Sequence, residues 1–104
     1  MGSWSGHTSL QTESFGSDTG MLRLHWESHN DGASAAGRLK IAIHSAVSGR
    51  QLAVVVDHEG SGSDLAYVNE DPREFYLVVE AKQASWNMAL EEGVRVTITK
   101  PIKD

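Results

Sequence analysis

Large apolar residues and small or polar residues alternate along several stretches of this chain. In residues 21–26 the two leucines and the tryptophan share one parity, and Arg23 and His25 take the other. Because successive side chains of a β-strand point to opposite faces, this alternation predicts a strand with one face in a core and the other toward solvent. Related patterns predict further short strands at residues 9–15, 39–44, 52–56, 65–68 and 94–99.

Two neighbouring stretches near the C-terminus carry the strongest strand signals. Residues 75–81 are almost continuous in β-formers, and residues 86–90 alternate large apolar with small or polar side chains. Residues 83–92 also tolerate a helix, but Asn87 and the period-two placement of the apolar residues favour a strand. A two-residue hairpin between these strands would need Gly or Asn, and Lys82 and Gln83 supply neither. We therefore expect the two strands to contribute to one core from opposite sheets.

The stretch around Ser48 and Gly49 predicts a β-hairpin. With these two residues as the turn, apolar side chains meet on one face and opposite charges meet on the other. The resulting pairs are Ile43 with Val54, Ile41 with Val56, and Lys40 with Asp57.

The spacing of these elements predicts the fold class. Seven or eight short strands recur at intervals of about ten residues, each bounded by turn residues, which is typical of sandwiches and barrels. We predict an all-β antiparallel sandwich with jelly-roll-like or Greek-key connections. Residues 1–8 are rich in Ser and Gly, and we expect a flexible N-terminal segment there and a single domain over residues 9–104. The predicted core residues are Leu22, Leu24, Trp26, Leu39, Ile41, Ile43, Leu52, Val54, Val56, Phe75, Leu77, Val79, Trp86, Met88, Val94, Val96 and Ile98.

Composition narrows the classes of partner. The 104 residues include 14 Asp and Glu against 9 Lys and Arg, a formal net charge of −5, which disfavours nucleic acids and anionic membrane surfaces. The absence of Cys excludes disulfides, thiolate zinc sites and cysteine catalysis. No apolar run is long enough for a membrane span, and the first residues lack the pattern of a signal peptide. A protein or a glycan surface is left as the candidate partner.

Motifs of catalysis are missing from the chain. It contains no Gly-x-Ser-x-Gly elbow, no His-Glu-x-x-His, no Walker loop and no dinucleotide fingerprint. We therefore expect a protein that is not an enzyme and name no catalytic residues.

Acidic residues suggest one metal hypothesis. Asp57, Glu59 and Asp64 flank the Gly-rich stretch at residues 60–63, and calcium takes six to eight oxygen ligands of this kind. Acids and glycines are also ordinary turn residues at strand ends. We expect no cofactor, with calcium at these three acids as the alternative.

Aromatic residues suggest a glycan hypothesis. Trp26 and Trp86 share their parities with core residues, so they are expected to be buried. The remaining candidates for a binding platform are Trp4, Tyr67 and Tyr76.

Two apolar residues, Val55 and Val78, fall on the face expected to be outer. They indicate either a sheet covered by another domain or subunit, or a central strand covered on both faces within this domain.

The chain resembles the small jelly-roll-like β-sandwich modules of bacterial secreted and cell-envelope proteins, mostly of unknown function. The resemblance covers residues 9–92 and rests on five features: Phe15, the Leu22-x-Leu24-x-Trp26 strand, the Gly60-Ser61-Gly62 loop, the strand at residues 75–79, and the Trp86-x-x-x-Leu90 strand. It implies an extracytoplasmic, non-catalytic accessory or interaction module and leaves the ligand open. A carbohydrate-binding module is the alternative function, and a calcium-stabilised structural domain is a further alternative.

Overall fold

The computed structural model describes residues 2–30 and 37–93 of the chain, and these residues form nine antiparallel β-strands and no helix. None of them forms a helix that could cross a membrane. The strands are β1 (Gly2–Gly6), β2 (Leu10–Gln11), β3 (Phe15–Ser17), β4 (Met21–Asn30), β5 (Arg38–Ser45), β6 (Gln51–Glu59), β7 (Gly62–Asn69), β8 (Arg73–Lys82) and β9 (Ala84–Glu92).

The strands form two sheets that pack face to face. Sheet A has the order β1-β9-β4-β7, and sheet B has the order β2-β8-β5-β6, with β3 also paired to β8. Apolar side chains from both sheets meet in one buried cluster between them. The predicted all-β antiparallel sandwich is confirmed.

Strand pairing is nested along the chain. Strand β1 pairs with β9, β2 and β3 pair with β8, β4 pairs with β7, and β5 pairs with β6. The described chain is therefore one long hairpin whose tip is the β5–β6 connection. It is wrapped so that β4 also pairs with β9 and β5 with β8. This connectivity is that of a jelly roll.

The connection between β8 and β9 crosses from sheet B to sheet A, as expected from the Lys82-Gln83 dipeptide. Gln83 has a φ of 50°, so a non-glycine residue takes the left-handed conformation at the turn. Ala84 follows it directly and is fully buried. Phe75 and Trp86 therefore reach the same core from opposite sides.

Most of the predicted core is buried between the sheets. Leu52 is half-buried and packs against the core. The strand predicted at 94–99, with Val94, Val96 and Ile98, lies outside the described residues. The predicted residues that are buried are Leu22, Leu24, Trp26, Leu39, Ile41, Ile43, Val56, Phe75, Leu77, Val79, Trp86 and Met88.

The prediction for Val54 is wrong because the β5–β6 pair contains bulges. Ile41 pairs with Val56 and Lys40 with Asp57, as expected, but Ala42 then pairs with Val54. Val55 is the extra residue, and it packs against the core while Val54 is 43% exposed. One inserted residue reverses the facing of the residues up to the next bulge, so Ile43 pairs with Ala53 and not with Val54. The hairpin loop is also longer than predicted: Ser45 N–H donates to the carbonyl of Arg50, which leaves four loop residues.

Gly2–Gly6, within the segment expected to be flexible at 1–8, form β1 at the edge of sheet A. Gly2 and Gly6 have the same parity as Trp4. A Cβ at Gly6 would lie 3.3 Å from the Trp86 ring, and one at Gly2 would lie 3.0 Å from the Trp4 ring. These glycines therefore leave room for indole rings within a strand.

The edge strand of sheet B, predicted as one strand at 9–15, is divided into β2 and β3 by a bulge. Thr12 lies between them and is buried. Its hydroxyl accepts a hydrogen bond from the Leu77 N–H at 2.9 Å and donates one to the Glu13 carbonyl at 2.9 Å. A side chain thus takes over a hydrogen bond that the interrupted ladder lacks.

Glu92 ties the turn between β3 and β4 to the end of β9. Its Oε2 accepts hydrogen bonds from the hydroxyls of Ser17 and Thr19, both at 2.7 Å, and from the Thr19 N–H at 2.8 Å. These bonds stabilise the charged carboxylate and hold the pKa of Glu92 below its usual range. The bond from the Thr19 hydroxyl has the largest effect. Gly20 follows with a φ of 73°, and a Cβ there would collide with the Glu70 carbonyl.

One polar side chain is buried in the core without compensation. Ser28 in β4 has the parity of Trp26, is fully buried, and its hydroxyl has no hydrogen-bond partner among the described residues. A buried hydroxyl of this kind loses its hydrogen bonds to water and gains none in return from the described residues, which lowers the stability of the fold.

Candidate functional site

The outer face of sheet A carries a dense set of polar side chains. Leu22, Leu24 and Trp26 of β4 point into the core, so the intervening residues point to solvent. The same holds for β9, where Trp86 and Met88 are buried. Because β9 and β4 are the central strands of the sheet, their outward side chains stand on the most constrained part of the backbone.

A groove crosses this face at right angles to the strands. The register aligns Ser3, Ala89, His25 and Leu65 in one row from β1 to β7. Small side chains on β1 and β9 make this row low, and we call it the crosswise groove. Its β4–β7 half has a volume of about 400 Å³ and its β1–β9 half about 250 Å³. Asn87 and Ala89 line both halves, so the two halves adjoin.

One wall of the crosswise groove is built around Glu27. The side-chain amide of Asn87 donates a hydrogen bond to Glu27 Oε1 at 3.0 Å, and His29 Nε2 lies 3.5 Å from the same oxygen. The bond from Asn87, followed by that from His29, holds the pKa of Glu27 below its usual range. Ser5 and Ser63 continue this wall onto the two edge strands.

The next row of outward side chains beyond Ala89 and His25, which we call the opposite wall, is built around Glu91. Arg23 Nε and one terminal nitrogen both lie 2.7 Å from Glu91 Oε1, and His25 Nε2 lies 3.3 Å from it. The hydrogen bond from Arg23 is the main reason that the pKa of Glu91 lies below its usual range. Both walls thus consist of carboxylates already bonded to a neighbouring strand, which limits the rotamers that a ligand would have to immobilise.

Apolar surface adjoins the β7 end of the groove. Tyr67 is directly opposite Arg23 and is 69% exposed, and Leu65, two residues earlier on the same face, is 38% exposed. An exposed aromatic ring next to hydrogen-bonding side chains is typical of recognition surfaces.

The three aromatic residues predicted to bind a ligand do not lie together. Tyr67 lies on the outer face of sheet A, whereas Tyr76 lies on the outer face of sheet B, stacked on His44 with ring centroids 5.0 Å apart. Trp4 packs against the core, and its ring lies 6.5 Å from that of Phe15. The structure therefore leaves Tyr67 alone on the groove face.

The three acids predicted to bind a metal are divided between the two sheets, and two of them already accept hydrogen bonds. Asp57 accepts a hydrogen bond from Arg38 at 2.8 Å, and Asp64 accepts one from the N–H of Leu65 at 2.7 Å. Asp57 and Glu59 belong to β6 of sheet B, and Asp64 belongs to β7 of sheet A. Across residues 2–30 and 37–93, no group of three or more His, Asp or Glu side chains is close enough to hold a metal ion.

The outer face of sheet B is mixed in character. Val78, Ala42 and Val54 form one apolar row across β8, β5 and β6. The next row toward the ends of these strands is charged, with Lys40 between Glu80 and Asp57. Val78 thus faces outward, as expected from the sequence. Val55 does not, because the bulge turns it toward the core.

Sequence reasoning missed the residues that build the two walls. Asn87 and Glu91 do show the correct signal, since their parity is opposite to that of Trp86 and Met88 in the same strand. What could not be read from the pattern is that β9 lies beside β4, which brings Glu91 to Arg23.

Comparison of the chain with known families, with curated proteins and with solved structures finds no match. The resemblance to small jelly-roll modules of secreted proteins accordingly stays a prediction.

Proposed function

We propose that this chain is a non-catalytic binding module that acts through the crosswise groove on the outer face of sheet A. One observation carries the proposal: two carboxylates on central strands, Glu27 and Glu91, are each held by neighbouring side chains on either side of a row that is low where Ser3 and Ala89 supply small side chains. Polar groups fixed in this way around a concave surface favour recognition of a ligand. An extracytoplasmic location belongs to the same proposal and is supported by the resemblance to secreted modules.

The state of the two outward-facing tyrosines supports binding on the outer face of sheet A rather than on the outer face of sheet B. Tyr76 of sheet B is already stacked on His44, with ring centroids 5.0 Å apart. On sheet A, by contrast, Tyr67 is largely exposed, and Leu65, two residues earlier on the same face, lines the groove. A carbohydrate-binding module is the more specific form of this function, and the exposure of Tyr67 favours it.

The test compares two surface variants in the same binding screens. Ala89→Arg places a long side chain in the floor of the crosswise groove, and Val54→Arg places the same side chain on the outer face of sheet B. The screens are arrays of immobilised glycans and of peptides, probed with the folded protein at equal concentrations. We expect binding that Ala89→Arg abolishes and Val54→Arg preserves.

Two results would contradict the proposal. Binding that survives Ala89→Arg and disappears in Val54→Arg would move the working surface to sheet B. Hydrolysis of ester or glycoside substrates by the purified chain, lost in a groove variant, would show that the groove is catalytic.

A further inference from the structure

We infer that the crosswise groove binds a neutral oligosaccharide whose long axis runs across the strands, with one sugar ring against Tyr67. This inference rests on the proposed function and adds the chemical class and orientation of the ligand. It draws on the donors and acceptors of the walls, on their charge, on the direction of the groove, and on the apolar surface at its β7 end.

The walls offer the hydrogen bonds that sugar hydroxyls require. A hydroxyl both donates and accepts, so it fits best where acceptors and donors stand side by side. Glu27 next to Asn87 and Glu91 next to Arg23 are two such pairs. The bonds to these neighbours use Oε1 in both carboxylates, which leaves Oε2 to accept from a ligand.

The charge of the groove favours a neutral ligand. Each carboxylate is matched by neighbouring donors, and the chain as a whole has a formal net charge of −5. Arg23 is already bonded to Glu91, so a sulfated or uronic-acid glycan would have to compete with Glu91 for it while approaching a chain of net negative charge.

The direction of the groove separates a sugar from an extended peptide. A peptide strand binds most simply by adding main-chain hydrogen bonds to a sheet edge. The groove instead crosses β9 and β4, whose backbone groups already pair with strands on both sides. Recognition there must come from side chains. With neighbouring strands about 4.8 Å apart, the four-stranded crossing is roughly 14 Å long, which suits several linked sugar rings.

Apolar surface is available at one end of that crossing. Tyr67 and Leu65 present an exposed ring and an exposed aliphatic side chain on the same face of β7. The C–H face of a sugar ring packs against such a surface, while its hydroxyls point to the walls.

The experiment uses the folded chain and an array of neutral oligosaccharides of glucose, mannose, galactose and N-acetylglucosamine. Sulfated and uronic-acid oligosaccharides form a second arm, and extended peptides form a third. Hits are titrated by calorimetry with the wild type and three variants: Ala89→Arg, Tyr67→Ala, and Tyr76→Ala as the matched tyrosine control on sheet B. Asn87→Ala replaces Ala89→Arg if the arginine variant does not fold, as judged from its thermal unfolding.

We expect a neutral oligosaccharide to bind the wild type, to lose detectable binding in Ala89→Arg, to bind about tenfold more weakly in Tyr67→Ala, and to bind unchanged in Tyr76→Ala. Backbone amide shifts on titration should concentrate in β4, β7 and β9.

Other outcomes separate the two proposals. If only peptides or anionic glycans bind, and Ala89→Arg abolishes that binding, the oligosaccharide inference fails and the proposed binding module stands. If a neutral glycan binds equally to Ala89→Arg and is lost in Tyr76→Ala, both fail. If no member of any arm binds the wild type, both fail as well.

Discussion

Val54 and Val56 are two positions apart in β6, yet they face opposite sides of sheet B because Val55 is an extra residue in the strand. Val56 is 4% exposed within the core, and Val54 is 43% exposed on the outer face. An unbroken strand would place both side chains on one face. Truncation of each valine to alanine therefore measures whether the bulge exists.

The expected losses follow from burial. Val56→Ala removes two buried methyl groups, each worth about 0.8 kcal/mol of transfer free energy, and leaves a small cavity, so the total cost is about 2–3 kcal/mol. Val54→Ala removes methyl groups that are nearly half in water and opens no enclosed cavity, so it should cost less than about 1 kcal/mol. The gap between the two variants is about 1–3 kcal/mol.

Urea unfolding followed by tryptophan fluorescence gives the free energy of unfolding of both variants and of the wild type. The denaturant slope m should be the same for all three, so that the midpoints report stability alone. For a domain of this size, the expected gap corresponds to a difference in melting temperature of several degrees. Equal losses for the two valines, or a larger loss for Val54→Ala, would show that β6 pairs with β5 without the bulge.

Three further substitutions test other parts of the structure. Trp86→Ala should cost about 3–5 kcal/mol because a buried indole is removed, and an unchanged denaturation midpoint would place that ring on the surface. Glu92→Ala should cost about 1–2 kcal/mol at neutral pH, since Ser17 and Thr19 lose their acceptor. Because folding lowers the Glu92 pKa, this contribution is present above the ordinary Glu pKa of about 4.3 and is lost as the pH falls through the lowered value. Unfolding curves of variant and wild type should therefore converge once the pH has fallen through the lowered pKa, and a gap that persisted in acid would exclude the carboxylate as its cause. Ser28→Ala should leave stability unchanged or raise it by about 1 kcal/mol, whereas a loss in thermal unfolding would reveal a partner for that hydroxyl.

The sandwich and most of its core could be predicted from period-two patterning alone. In β4 and β9 the large residues keep one parity over the whole strand, and no bulge interrupts them. The placement of β8 and β9 in opposite sheets could be predicted as well, because Lys82 and Gln83 are poor residues for a two-residue hairpin.

Two parts of the fold escaped prediction for physical reasons. A bulge inserts one residue without leaving a composition signal, so the facing of Val54 could not be read from alternation. Strand β1 looked like a flexible segment because its glycines resemble turn residues. Gly2 instead faces the ring of Trp4 in its own strand, and Gly6 faces the ring of Trp86 in the neighbouring strand.

The candidate site was predicted only in part, because it depends on strand order. Tyr67 was named from its residue type. The pairing of Glu91 with Arg23 requires β9 to lie next to β4, although the two residues are separated by most of the chain. A local pattern shows that both side chains face solvent and does not show that they meet.

Nesting of the strand pairs sets the order in which the chain can fold. The β5–β6 hairpin closes only a short loop, whereas pairing of β1 with β9 joins Gly2 to Leu90 across almost the whole described chain. Closing long loops costs the most chain entropy, so folding should be slow, on the order of milliseconds to seconds, with β1 docking last. Trp4→Ala should accordingly speed unfolding and leave the refolding rate nearly unchanged in stopped-flow measurements. A slower refolding rate in that variant would instead place β1 in the folding nucleus.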